Sequence, residues 1–399
     1  MPLTVNFHTA PPATADVVII GGGVIGAATA FWAARAGMQA VIIERRPTLC
    51  TLTTAAATGG FRLQHEDHDD WELVRESLAV VLRFAEITAQ RDYDPDVVAR
   101  GYLWLTTDPA LIDQHRELVA RQHRWGQTDV ELLDGSEVRR RFPFVSEAVV
   151  SGRFRAGDGT FDQKALAFGL AAASRVPVAT DCAAIGFQQA GGRITGVVTD
   201  RGVIATGNVV LAAGPFSGAL AETVGLTLPL VNSRRQKTLL PDVPEVPPWA
   251  PMTLDDDTGT HWRPALRGAY LLGAIGEPII EPAMTAVPLD HELALRLLDP
   301  RSPYAAARVA PYWAAVWVRG ASHWSLQAGQ YTLTPDNKPL IGPSHIPGLW
   351  LNTGYGGHGV MQGIAGSTRL LEMITGARSV EENPFDPART FVAGASRPL

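Results

Sequence analysis

Short apolar runs separated by longer segments of mixed polarity set the pattern of this 399-residue chain. Val17 to Ile20 and Ala40 to Ile43 are rich in β-branched residues with no polar interruption, as expected of strands buried on both faces. Between them an Ala-rich stretch from Val24 to about Ala36 reads as a helix, which Gly37 stops. Strand, helix and strand in that order predict an α/β fold around a parallel sheet. Trp71 to about Gln90 reads as an amphipathic helix. From Arg91 to Val150 the character changes: GYLWLTT alternates like a strand, DPALIDQHRELVARQHRW like an exposed helix, and LLDGSEVRRRFPFV like a short helix ending at a proline. GRFRAGDGTFDQKALAFGLAAASR then reads as strand, turn and helix. A hairpin turning at Asp200 to Gly202 follows, and after it the apolar strand Val209 to Ala212. Leu226 to Gly329 is Pro-rich, with alternating segments such as GAYLLGAI and one helix, about Asp290 to Leu298. YTLTPDNKPLIG reads as a turn-rich loop into a strand, GLWLNT as another strand, and GYGGHGVMQGIAGSTRLLEMITG as a glycine loop opening a helix.

The turn after the first strand carries candidate chemistry. Gly21, Gly23 and Gly26 have the G-x-G-x-x-G spacing, directly between strand and helix. The first glycine permits the tight turn, the second lets a pyrophosphate reach the backbone, and the third lets the helix pack closely. The backbone of Val24 and Ile25 then lies at the positive end of the helix, which favours an anion. Glu44 ends the second strand, 18 residues after Gly26, with Arg45 beside it. A carboxylate there can accept both hydroxyls of an adenosine ribose and would repel a 2'-phosphate, so FAD or NAD is expected and NADP is disfavoured. Gly354, Gly356 and Gly359 repeat the glycine spacing, but the polar, proline-broken ARSVEENPFDP follows them. That copy predicts a helix N-terminus near a cofactor, not a second dinucleotide fold. The expected architecture is a discontinuous Rossmann-like domain from residues 14–90, 151–222 and 335–390, plus an α+β substrate domain with a mixed antiparallel sheet from 91–150 and 223–334.

Composition narrows the partners. A net charge of -6 argues against nucleic acid or an anionic membrane. Cys50 and Cys182 are too few for a disulfide framework and lack metal-ligand spacing, so no metal site is expected. The first fifteen residues have neither a basic start nor an apolar core, and no window approaches a membrane span. A soluble protein of a reducing cytoplasm is the expectation.

The segment RRPTLCTLTTAAATGGFRLQHEDHDDW has no clear period and suits a loop wrapping a cofactor, with Thr58, Gly59 and Gly60 near it. On local sequence alone Arg62 reads as a surface ion-pair residue. Taken together, DVVIIGGGVIG with Glu44, the GGFRLQ loop, LLDGSEVRRRFP, DGTFD, VVLAAGPFS, RRQ at Arg234 to Gln236, HWRP, YTLTPDNKPLIG and GYGGHGVMQG resemble the D-amino-acid-oxidase-like FAD oxidoreductases. Within them the sarcosine oxidase and proline dehydrogenase branch is the most similar. The resemblance implies non-covalent FAD, with Ala213 and Gly214 close to it and the loop Gly356, Gly357, His358, Gly359, Val360 and Met361 aimed at the flavin ring. It further implies that His261 and Tyr331 line the substrate cavity, that Arg62 holds a substrate carboxylate, and that His358 adds positive charge beside the ring.

The departures from the family pattern matter as well. Gly329 stands where a cysteine would carry covalent flavin, Met361 where a lysine binds carboxylate, and Leu271 or Leu272 where a lysine promotes oxygen reduction. A flavin link through His65 has no positive support. The implied activity is oxidation of an amino acid or secondary amine, with O2 or another acceptor. The rivals are a 2-hydroxy-acid or glycerol phosphate dehydrogenase, a subunit of a larger oxidoreductase, and an NAD-binding protein without flavin. A homo- or hetero-oligomer is compatible with the chain.

Overall fold

Val17–Ile20 is buried along its whole length, and its alternate residues serve two different layers. Val17 and Ile19 pack with the helices Val24–Arg35, Gln163–Ser174 and Gly359–Ile374, whereas Val18 and Ile20 pack toward Ile194, Val197 and Ile204 of a three-stranded antiparallel sheet. A strand covered on both faces has no polar side to show, which is why its sequence reads as a continuous apolar run. The computed structural model that shows this describes residues 4–320 and 323–392. The central sheet has seven strands in the order Phe7–His8, Val178–Ala179, Ala40–Ile43, Val17–Ile20, Val209–Leu211, Leu349–Thr353 and Leu340–Pro343. All neighbours are parallel except the last pair.

A nine-stranded mixed sheet lies beyond it, antiparallel except where Met252–Asp255 runs parallel to Tyr102–Thr106. Its register decides which residues face the central sheet, because paired residues share a face and alternate along each strand. Tyr102 pairs with Met252, Leu254 with His261, His261 with Leu272, Leu272 with Lys237, and Ser233 with Tyr331. Tyr102, Met252, His261, Leu272, Lys237, Arg235 and Tyr331 therefore form one layer. The opposite face, with Leu103, Leu105, Leu240, Trp262 and Leu271, packs on Trp313 and Val316 as a separate core.

Several elements differ from the sequence expectation. The helix expected from Trp71 starts at His68, because Asp67 caps it by accepting from the amides of Asp69 and Asp70. It ends at Val81, and a short helix, Phe84–Ile87, resumes after Arg83 leaves helical geometry. A second helix, Tyr312–Arg319, lies in the stretch expected to hold one; it buries Trp313 and Val316 and stops at Gly320, whose φ is +72°. Tyr331 to Leu333 close the strand Ser325–Leu333 instead of opening a loop, since they pair with Val231 to Ser233. Ser151–Arg155 pairs with Tyr102–Thr106 in the nine-stranded sheet.

Candidate active site

One elongated cavity of about 540 Å³ runs between the two sheets. At one end it is lined by Glu44, Arg45, Ala183, Ile185 and Phe216, in the middle by Gly21, Gly23, Val24, Ile25, Ala213 and Gly214, and at the other end by Tyr102, Met252, His261 and Tyr331. The turn is shaped by what its glycines lack. Gly21 has φ +114°, and a Cβ there would lie 2.5 Å from the carbonyl oxygen of Ala212. A Cβ on Gly26 would lie 1.9 Å from the carbonyl oxygen of Gly21, so this glycine packs the helix and does not line the cavity. Gly23, at the N-cap, supplies no side chain to compete for the first helical turn. The Glu44 carboxylate accepts from the amides of Gly22 at 2.7 Å and Arg46 at 2.8 Å, which fixes both oxygens at the cavity wall. Burial raises its pKa, and those two amides oppose the rise. A glycine cradle, an oriented carboxylate and a long cavity suit a dinucleotide.

The loop from Thr51 to Gly60 forms the next wall and is held from behind. Gln163 Nε2 and Lys237 Nζ each donate to the Ala57 carbonyl at 2.8 Å, and Arg263 Nε donates to the Thr58 carbonyl at 2.8 Å. Thr58 and Gly60 line the cavity; Gly59, at φ +72°, sits behind it against Phe161. Asp158 secures the chain that follows, accepting from the Leu63 amide and from Gln64 and Arg155.

Arg62 is only 4% exposed, contrary to the surface reading of its local sequence. Its guanidinium lies over the Trp104 ring, donates to the Gln64 carbonyl, and reaches His358 Nε2 at 3.2 Å and His65 Nδ1 at 3.4 Å. A guanidinium can only donate, so both of those ring nitrogens are acceptors and both imidazoles are neutral. Burial, with the Arg62 charge, pushes His358 down to about 3 and His65 well below its usual value. The charge in this cluster is therefore carried by Arg62, and His358 is a hydrogen-bonded neutral ring. The other ring nitrogen of His65 meets the Arg62 carbonyl at 3.0 Å, which leaves neither nitrogen for a covalent link. Arg62, His65 and His358 lie behind the cavity lining, whereas Gly356, Gly357, Gly359, Val360 and Met361 are part of it.

On the facing sheet His261 is 7% exposed, and its Nδ1 meets the Gly259 carbonyl at 2.8 Å. That proton position leaves Nε2 with a free lone pair at the cavity. Burial lowers the His261 pKa, and the charges of Arg62 and Arg235 lower it further. The Tyr331 ring packs against Gly357, where a Cβ would lie 2.8 Å from it. Gly329, opposite, has no room for a side chain, since a Cβ would meet that of Ala56 at 2.7 Å. Leu271 belongs to the far core, and Leu272 is on the cavity side. Sequence reasoning missed Tyr102, Met252, Cys182 to Ile185 and Phe216. The alternation of Tyr102 and Trp104 with Leu103 and Leu105 was the one available signal, and it marks two faces without saying which meets the cavity.

Fold and cavity together define an α/β protein of the dinucleotide-binding class, with its large cavity between a mostly parallel sheet and a second, mixed sheet. The chain belongs to the FAD dependent oxidoreductase (DAO) family, whose model matches residues 16–372, and FAD is its cofactor. It is similar to the glycine oxidase of Pseudomonas putida, 28% identical across 94% of this chain and 97% of that one. It is also similar to the mitochondrial sarcosine dehydrogenase of Homo sapiens, 24% identical across 88% of this chain and 39% of that protein. Among solved structures, the glycine oxidase of Geobacillus kaustophilus superimposes with a TM-score of 0.81 at 21% identity, covering 96% of this chain and all of that one. The L-proline dehydrogenase of P. horikoshii gives 0.79 at 22% identity over 94% and 98%; these two likenesses bear on the fold. Among the described residues no helix is long and apolar enough to cross a membrane.

Proposed function

We propose that the protein oxidises an amino acid or secondary amine of the sarcosine, proline or glycine type by hydride transfer, releases an imine that hydrolyses in water, and passes the electrons to O2 with formation of hydrogen peroxide. The observation that supports this reading best is the charge balance where the cavity meets the nine-stranded sheet. Tyr102, Met252, His261 and Tyr331 line that end without a carboxylate among them. Arg62, Arg235, Arg263 and Lys237 stand behind them, and each of the four is held by neutral groups. Such an end attracts a carboxylate and disfavours a cationic polyamine.

FAD supplies the two-electron acceptor. The residues of this chain hold and orient. Glu44 and the glycine turn would fix the adenosine and pyrophosphate end, and the open N-terminus of Gly359–Ile374 would favour negative charge at the other. His261 Nε2, neutral and unpaired, can accept a hydrogen from the substrate nitrogen, which must be neutral when the hydride leaves. The names of the similar proteins, glycine oxidase and sarcosine dehydrogenase, support an amine over an alcohol. We place the protein in the cytoplasm, a reading supported by its two free, buried cysteines.

A second reading concerns the acceptor. Leu272 takes the cavity-side place where the family resemblance sets an oxygen-promoting lysine, which favours a quinone or protein acceptor. One experiment separates the readings: the visible spectrum of the FAD-loaded protein without oxygen, with sarcosine, proline, glycine, D-alanine and 2-hydroxyglutarate added in turn. Bleaching by an amine that air reverses with peroxide formed supports the oxidase. Bleaching that a quinone reverses and air does not supports the dehydrogenase. If 2-hydroxyglutarate bleaches the flavin and no amine does, amine oxidation is wrong.

A further inference from the structure

The strand Val231–Leu240 sends Ser233, Arg235 and Lys237 to the cavity side and Arg234 and Gln236 to the other. The two adjacent arginines have different surroundings. Arg234 is 3.5 Å from the carboxylate of Glu281. Among the described residues Arg235 has no ion pair and its buried Nε no partner, while Nη1 donates to Ser233 Oγ at 2.8 Å and to the Arg234 carbonyl at 2.9 Å. Its guanidinium sits 5.3 Å from the centre of the Tyr331 ring, and Tyr331 lines the large cavity. On its other side Arg235 lines a smaller cavity of about 140 Å³ together with Ile275, Glu277 and Leu293. Its guanidinium thus stands between the smaller cavity and Tyr331, a residue of the larger one.

A half-buried guanidinium without a counter-ion is costly, and stacking on a tyrosine returns only part of that cost. Elsewhere the fold answers such costs with acids: Arg153 with Asp256, Arg155 with Asp158, Arg308 with Asp255 and Asp257. Of the other arginines without an ion pair near this end, Arg62 has both terminal nitrogens on Gln64, His65 and His358, and Arg263, stacked on Tyr270, gives Nε to the Thr58 carbonyl and Nη1 to the Pro264 carbonyl. Arg235 keeps Nε and Nη2 available.

We propose that Arg235, and not Arg62, receives the substrate's carboxylate, holding it beside Tyr331 and within reach of an amine placed at His261. This rests on the amino-acid reading above but is tested separately from it.

The test uses FAD-loaded wild-type protein and the variants Arg235→Gln, Arg235→Lys and Arg62→Gln, all without oxygen. Acetate, propionate and benzoate are titrated against the visible flavin spectrum, with acetamide and benzamide as neutral controls. Loss of a charge-assisted carboxylate contact weakens binding by 2 kcal/mol or more, roughly thirtyfold. Arg235→Gln should therefore lose about thirtyfold or more in carboxylate affinity and bind the amides as the wild type does. Arg235→Lys should fall between, and Arg62→Gln should stay within about fivefold. Carboxylates binding Arg235→Gln as tightly as wild type, or not binding wild type at all, would overturn the assignment. If Arg235→Gln fails to retain FAD, the Lys variant carries the test, and its affinity matching wild type for all three acids is the overturning result. If the wild type binds carboxylates through Arg235 but no amine bleaches its flavin, the amine reading fails and the anion site stands.

Discussion

Asp70 offers a test of the packing that holds the glycine-rich helix in place. It is 1% exposed, on the helix His68–Val81, and Oδ1 accepts from Gln362 Nε2 at 2.9 Å on Gly359–Ile374. Its Oδ2 and the Gln362 Oε1 are both buried acceptors without a partner among the described residues. Two such acceptors on partnered side chains fit a protonated carboxyl. Burial, with Asp67 nearby, raises Asp70 from 3.8 to about 7, although Lys338, Gln362 and Arg62 oppose the rise. Between those two pH values the folded state holds one proton more than the unfolded state. Stability therefore falls as pH rises through that window and levels off above it. The part between pH 5 and 7 is two units at 1.36 kcal/mol each, roughly 3 kcal/mol. Asp70→Asn keeps the acceptor for Gln362 and adds an amide donor for Oε1 but cannot ionise. Urea unfolding of both proteins at pH 5 and pH 8, with FAD in excess, should show the Asn variant gaining roughly 3 kcal/mol on the wild type between the two pH values. An unchanged difference, or a loss for Asp70→Asn at pH 8, would show that the native carboxyl is ionised and the argument wrong.

Three further outcomes follow from the site. Gly26→Ala puts a methyl 1.9 Å from the Gly21 carbonyl oxygen; backbone on both sides cannot give way, so FAD retention after gel filtration should fall by more than half, and full retention counts against the close-packing role. Glu44→Ala removes the acceptor for two amides; FAD affinity, followed by flavin fluorescence, should fall at least about fivefold, by the roughly 1–3 kcal/mol of an orphaned buried group. Burial, with the charges of Arg62 and Arg235, holds His261 below its ordinary value of 6.5, so its neutral form predominates at pH 6.5. Any decline of the bimolecular rate of flavin bleaching caused by His261 protonation should therefore have its midpoint below pH 6.5, and a decline centred above 6.5 that vanishes in His261→Asn would contradict the neutral-acceptor role.

What could be read from the sequence divides along contact distance. The glycine turn, the strands beside it and Glu44 were legible because local geometry alone demands those residue types at that spacing: Gly21 needs a positive φ, and Gly26 cannot carry a Cβ. Local sequence alone makes Arg62 read as a surface residue because the rings that pack around it come from Trp104 and from His358, 296 residues away. The facing wall was harder still. Strand alternation separates Tyr102 from Leu103 and Arg235 from Gln236, but only the pairing register links six strands and decides that Tyr102, His261, Arg235 and Tyr331 share a face. A one-residue slip of Val231–Leu240 would put Arg234 and Gln236 at the cavity and turn Arg235 toward the far side. The chain has a device against that slip: Gln236 Oε1 accepts from the Asp290 amide at 2.7 Å, and Gln236 Nε2 donates to the Asp290 carbonyl at 2.6 Å on the outer side of the sheet. A side-chain amide that pairs with one backbone position in both directions fixes the strand's phase. The glutamine beside Arg235 thus sets the register that keeps an uncompensated cation beside Tyr331 at the cavity.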